Sequence, residues 1–293
     1  MYRLLNLVLL LALSGCAGGS EPIGAPTGPT PATEPAADPM PDPEPEPDPE
    51  PEPPSPPPPA PSPQIDILVV KTTSTYDVFP DPDLRIQHLV NVASDVLQDN
   101  GVDATIRIVA TTQVDYPNGF DTRTALDHIT FESHPSLQGV AALRETYNAD
   151  LVVLFRPDVN DGLCGFAWVG GYQQNGDFSA AINAEYAFSV TVVNCGDYTL
   201  LHEAGHNMGL AHSRREDPLG GTWPYSAGYG VDNDFVTVMA STIEFSATRL
   251  PRLSSPATAC NGQACGIDAS DPVDGADAIL TLQQTAGAVA GYR

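Results

Sequence analysis

The sequence predicts an α/β (α+β) domain built on a twisted, mostly parallel sheet and covering residues 64–293. Three observations point to it. Proline and acidic charge crowd ahead of residue 64, and behind it the composition becomes ordinary. Short apolar, strand-like runs then alternate with periodic helical stretches. A histidine-rich segment with helical spacing follows the last of those strands.

Of 30 prolines in 293 residues, 20 lie in residues 17–63, together with nine acidic residues and no Lys or Arg. Such a segment cannot bury enough apolar surface to offset its chain entropy. It is expected to be an extended, self-repelling, polyproline-like linker that could reach on the order of 100 Å. A docking site for a proline-binding module is the minor alternative. Residues 64–293 keep ten prolines and a charge of −17 out of the chain's −25. That length allows a substantial core. The acidity excludes binding of nucleic acid or an anionic membrane by charge, which needs a basic face.

The elements follow in order. Ile65-Asp66-Ile67-Leu68-Val69-Val70 reads as a buried first strand. Residues from Pro82 to Gln98 are helically periodic and stop at Asn100-Gly101. Thr105–Val109 is a second strand, Leu137–Tyr147 a second helix and Asp150–Phe155 a third strand. Phe188–Val193 is a last strand feeding the histidine helix, and residues 275–291 form a closing helix. Strands alternating with helices imply a largely parallel sheet with right-handed crossovers.

Residues 1–16 read MYRLLNLVLLLALSGC, one positive charge followed by an apolar run of about ten residues. That order is a secretory signal peptide, and the run is too short for a membrane-spanning helix of about 20 residues. Leu13-Ser14-Gly15-Cys16 resembles the bacterial lipobox, which implies cleavage before Cys16 and lipidation there; a plain signal peptide is the alternative. Ala17 follows, not Asp, so the usual sorting pattern implies an outer-membrane lipoprotein of the cell envelope. Four cysteines remain, and an even number in an exported chain suggests disulfides. Three pairings are possible; Cys260 with Cys265 looks like a small local loop, leaving Cys164 with Cys195. A zinc site made of these four lacks the tight two-residue spacing.

The chemistry is concentrated in His202-Glu203-Ala204-Gly205-His206-Asn207-Met208-Gly209-Leu210-Ala211-His212. This HExxHxxGxxH pattern has a chance frequency on the order of 1 in 100,000 per chain, far rarer than a bare HExxH. His202 and His206, four apart on a helix, project from one face and can reach one metal ion. Glu203 lies beside the first ligand. Gly209 can take positive φ, end the helix and turn the chain. His212 then returns as a third ligand. Three neutral imidazoles leave a fourth tetrahedral position for water, as catalytic zinc requires. Metal-free surface or core histidines, or a structural zinc site with four protein ligands, account less well for the full pattern.

The motif resembles that of the metzincin zinc endopeptidases, and its tail is closest to the reprolysin-like (adamalysin-like) bacterial branch. Thr237-Val238-Met239-Ala240 fits the methionine turn that lies beneath the metal in that family, so Met239 takes a structural role; ordinary core is its alternative. Cys164–Val169 resembles the family's edge strand above the cleft, where a peptide can add as a strand. The resemblance implies a single metzincin-like catalytic domain with a smaller, irregular C-terminal part. It implies zinc on His202, His206 and His212, with Glu203 as general base. The pattern departs at Ser213, where reprolysins usually carry Asp, and at Ser241, where astacin-like and serralysin-like enzymes place a tyrosine ligand. No segment with a zinc-blocking cysteine precedes Gln64. The expected partners are a protein or peptide substrate and a lipid anchor in the membrane, with no nucleic acid, for a monomer. Two other functions stay open: a zinc amidase acting on cell-wall peptides, and a non-catalytic tethered binding module.

Overall fold

The computed structural model describes residues 62–293. The expected signal peptide with Cys16, and the linker as far as residue 61, lie outside the described residues. No described helix is long and apolar enough to cross a membrane.

The sheet is laid down by β1 (Gln64–Thr72), β2 (Thr105–Val114), β3 (Leu151–Arg156), β4 (Gly165–Ala167) and β5 (Phe188–Val192), in the spatial order β2-β1-β3-β5-β4. All neighbours are parallel except β4, which runs antiparallel along β5 at the edge. Alternation along β1 divides its side chains between two cores. Ile65, Ile67 and Val69 face a cluster containing residues of α1 (Pro82–Asp99). Leu68 and Val70 face one built with α2 (Thr122–Thr130) and α3 (Val140–Thr146). Burial on both faces explains the near-continuous apolar runs of β1 and β3.

Helix α4 (Ala181–Glu185) precedes β5, and α5 (Thr199–Asn207) packs on the same face as α1. Beyond it the chain uses short strands: β6 (Ala211–Ser213), β7 (Ala227–Gly228), β8 (Gly230–Val231), β9 (Phe235–Val236), β10 (Thr248–Arg249), β11 (Ala259–Cys260) and β12 (Gln263–Ala264). Helix α6 (Ala278–Val289) closes the domain and buries Leu282 and Val289 in the α1 cluster. It starts at Ala278 rather than 275 because the Asp277 carboxylate accepts the Leu280 N–H at 3.0 Å and caps it.

The expected helix over Leu137–Tyr147 is shorter. Gly139, at φ +89°, separates a 3₁₀ turn at Pro135–Leu137 from α3. Helix α2 was not anticipated from periodicity; Asp121 caps it by accepting the Thr124 N–H at 2.7 Å. β2 runs on to Val114 beyond the expected Val109, because its pairing with β1 continues past a register shift at Ile67/Leu68. Two disulfides are formed, Cys164–Cys195 and Cys260–Cys265. The first links the chain entering edge strand β4 to the loop between β5 and α5.

Candidate metal and catalytic centre

Helix α5 ends in a Schellman arrangement. The Leu210 N–H donates to Gly205 O and the Gly209 N–H to His206 O, both at 2.9 Å, with Gly209 at φ +96°. That turn sends the chain into β6, which carries His212 back toward His202 and His206. Ligand-capable nitrogens of the three imidazoles lie within 4.8 Å of one another. The structure thus brings together the three histidines that the spacing grouped.

The second nitrogen of each ring is already engaged. His202 Nδ1 donates to Val238 O at 2.9 Å and His206 Nδ1 to Leu210 O at 2.8 Å. Each ring's remaining Nε2 is then a bare lone pair, and those two Nε2 atoms stand 3.2 Å apart. Two acceptors facing each other need a cation between them. Two nitrogens each about 2.0–2.1 Å from a tetrahedral zinc would lie roughly 3.3 Å apart, so these residues fit the metal. His212 Nδ1 is 2.9 Å from Asp217 Oδ2, which also accepts the His212 N–H at 3.0 Å. A carboxylate or carbonyl behind each ligand ring fixes its orientation and tautomer.

Burial sets the charge states. It drives His202 well below the ordinary imidazole value, helped by the neighbouring histidines. It pushes His206 down to about 4. Burial lowers His212 too, but the hydrogen bond and charge of Asp217 outweigh it and the net direction is up. Burial raises Glu203 well above the usual carboxylate range, against the lowering influence of the Arg249 guanidinium.

Glu203 is buried and lines a cleft of about 340 Å³ together with His202, His212, Gly165, Glu216, Thr242 and Arg249. Its carboxylate lies tightly against Gly165. A Cβ at that glycine would come within 2.6 Å of Glu203 Cδ and 2.7 Å of Cγ. Met239 is buried directly beneath α5, where a Cβ on Gly205 would stand 2.8 Å from its sulfur. Ser213 and Ser241, the two positions of departure, share one partner. Glu216 Oε2 accepts from Ser213 Oγ at 2.7 Å and from the Ser241 N–H at 3.2 Å. Neither serine points to a metal role.

Sequence reasoning missed Asp217, Gly165, Glu216 and Arg249. Asp217 had a faint signal, a carboxylate five residues after the third histidine. Gly165 and Arg249 had none, since their contacts are set by segments distant in sequence.

Comparison with known proteins agrees with this geometry. The family described as Metallo-peptidase family M12B Reprolysin-like matches residues 84–213. A curated relative from Pseudomonas aeruginosa, named peptidyl-Asp metalloendopeptidase, is 31% identical over 249 residues, covering 78% of this chain and 40% of the relative. The chain therefore spans less than half of that relative's length. A solved structure titled "Structure of a chaperone-substrate complex" superposes with a TM-score of 0.60 at 20% identity, over 80% of this chain and 35% of that one. That likeness concerns the fold alone.

Proposed function

We propose that the chain is a reprolysin-like metzincin, on its likeness to that family, and that it acts as a zinc-dependent endopeptidase tethered to the cell envelope. The observation that carries the reading is the pair of bare Nε2 atoms 3.2 Å apart, with His212 beside them and a buried carboxylate in the same cleft. His202, His206 and His212 would hold the metal. Bound there, zinc supplies Lewis acidity that acidifies water and polarises a carbonyl. Glu203 takes the proton of the attacking water and passes it to the leaving amine. Burial raises the carboxylate's proton affinity and suits it to that exchange. Strand β4 pairs on one side only, which leaves an edge for an extended peptide backbone to add to.

The relative's name attaches its activity to aspartyl bonds, so peptides with aspartate beside the cleaved bond are the substrates we would offer first. Purified protein is expected to cut such peptides and denatured casein, read by mass spectrometry of the products. Release of peptidoglycan fragments without cleavage of any peptide would favour the cell-wall amidase instead. Bound zinc with neither activity would favour a tethered binding module.

The anchor is part of the same proposal, on the strength of Leu13-Ser14-Gly15-Cys16 and the proline-rich segment after it. Labelled palmitate is expected in the wild-type chain and not in Cys16→Ser. Equal labelling of both would overturn the lipoprotein reading. An outer-membrane location and a monomeric state remain our proposals for the full chain.

A further inference from the structure

The cleft beside the histidines holds one fixed cation that the proposed chemistry does not use. Arg249 ends β10 and lines the cleft with His202, His212 and Glu203. One of its nitrogens, Nη2, donates to Ala240 O at 3.0 Å. Its Nε is buried and has no hydrogen-bond partner. Among the described residues no carboxylate lies within ion-pair distance of it. Glu216 lines the same cleft and reaches Arg249 by charge without a hydrogen bond, its Oε2 accepting from Ser213 and Ser241. A half-buried guanidinium with donors to spare is therefore presented to whatever enters the cleft.

The surroundings decide what it selects. Residues 64–293 carry a net charge of −17, so an anionic side chain is repelled from the protein at large. A local cation is what would admit one. A basic side chain would meet a like charge. A large apolar side chain would cover the guanidinium and leave its donors without water or partner, which is costly. A carboxylate gains charge-assisted hydrogen bonds in a matching fork geometry.

We propose that Arg249 is a specificity-determining residue whose guanidinium receives the carboxylate of an aspartate or glutamate adjoining the scissile bond. This rests on the endopeptidase reading above. A site built to bond a substrate group rejects the analogue that lacks it, and loss of one such charge-assisted contact is worth about 100-fold here.

The test uses the zinc-loaded full chain and fluorogenic peptides that differ only in Asp, Asn or Leu beside the cleaved bond. Wild-type kcat/KM is expected to favour Asp over Asn by about 100-fold. In Arg249→Gln that ratio should collapse toward one, while Arg249→Lys should retain part of it. Zinc content and thermal melting serve as checks that each variant is folded. Binding of the same peptides to Glu203→Gln, read by fluorescence anisotropy, should show the same preference without turnover. Equal cutting of Asp and Asn peptides by the wild type would overturn the assignment, even if Arg249→Gln cannot be folded. So would a uniform rate loss in Arg249→Gln with the ratio intact. Failure of the zinc-loaded wild type to cut any peptide would instead remove the endopeptidase reading, and this inference with it.

Discussion

Glu203→Gln is expected to keep one zinc per chain and to lose peptide hydrolysis by about 10³-fold, within the range of a general base removed. The substitution preserves volume and removes only the basic oxygen, so the three imidazoles and their carbonyl and carboxylate partners stay in place. Zinc measured by elemental analysis and kcat on a peptide substrate read the two halves separately. Gly165→Ala gives a companion result. A methyl there would collide with the Glu203 side chain, while the histidines are untouched. Zinc content should again be retained and kcat should fall, because the carboxylate must move. Full activity in Glu203→Gln would remove its role. Full activity in Gly165→Ala would show that the observed carboxylate position is not the working one.

Removal of zinc is expected to abolish hydrolysis and to lower the melting temperature substantially. A ligand bound only by the folded state, present at a thousand times its Kd, stabilises by about 4 kcal/mol. For a domain of this size that is about 8–16 °C. The metal-free protein should also have a particular pH dependence. His202 is held well below the ordinary imidazole value and His206 at about 4, whereas both return to about 6.5 on unfolding. The unfolded chain then binds more protons, so stability is lost as pH falls from about 6.5 toward 4. His212 acts in the opposite sense. Its raised value contributes stability below about 6.5, which is lost as pH rises through the folded value. Glu203, raised well above the carboxylate range, acts in the same sense as His212. The comparison is therefore made on the chelated Glu203→Gln variant, in which two imidazoles oppose one and stability to urea should be lower at pH 5 than at pH 7. Equal or greater stability at pH 5 would contradict the burial of the bare pair. Unchanged melting on chelation would argue that no metal is held.

The parts of the fold legible in the sequence are those fixed by local pattern. β1 and β3 were readable because a strand buried on both faces must be continuously apolar. Helix α1 was readable because its residues are helically periodic from Pro82 to Gln98 and Asn100-Gly101 close it. The metal ligands were readable because helical spacing and one glycine turn suffice to gather them. Helix α2 escaped because its nine residues include three threonines and an arginine, and its start is marked only by an aspartate cap. The walls of the cleft escaped for a different reason. Gly165 meets Glu203, and Arg249 enters the cleft, through tertiary packing that no periodicity encodes. The disulfide partners followed from counting, since only one arrangement left a short local loop.

The bond from His202 Nδ1 to Val238 O spans 36 residues. A nascent or clipped chain ending before Val238 holds all three ligand histidines and the glutamate, yet lacks what aims the first ring and the methionine that underlies the helix. Such a chain also lacks Arg249 and the whole of α6. The metal centre is therefore completed only after most of the domain has been made. Under the proposed function, a domain organised in this way stays inert until its C-terminal part is in place.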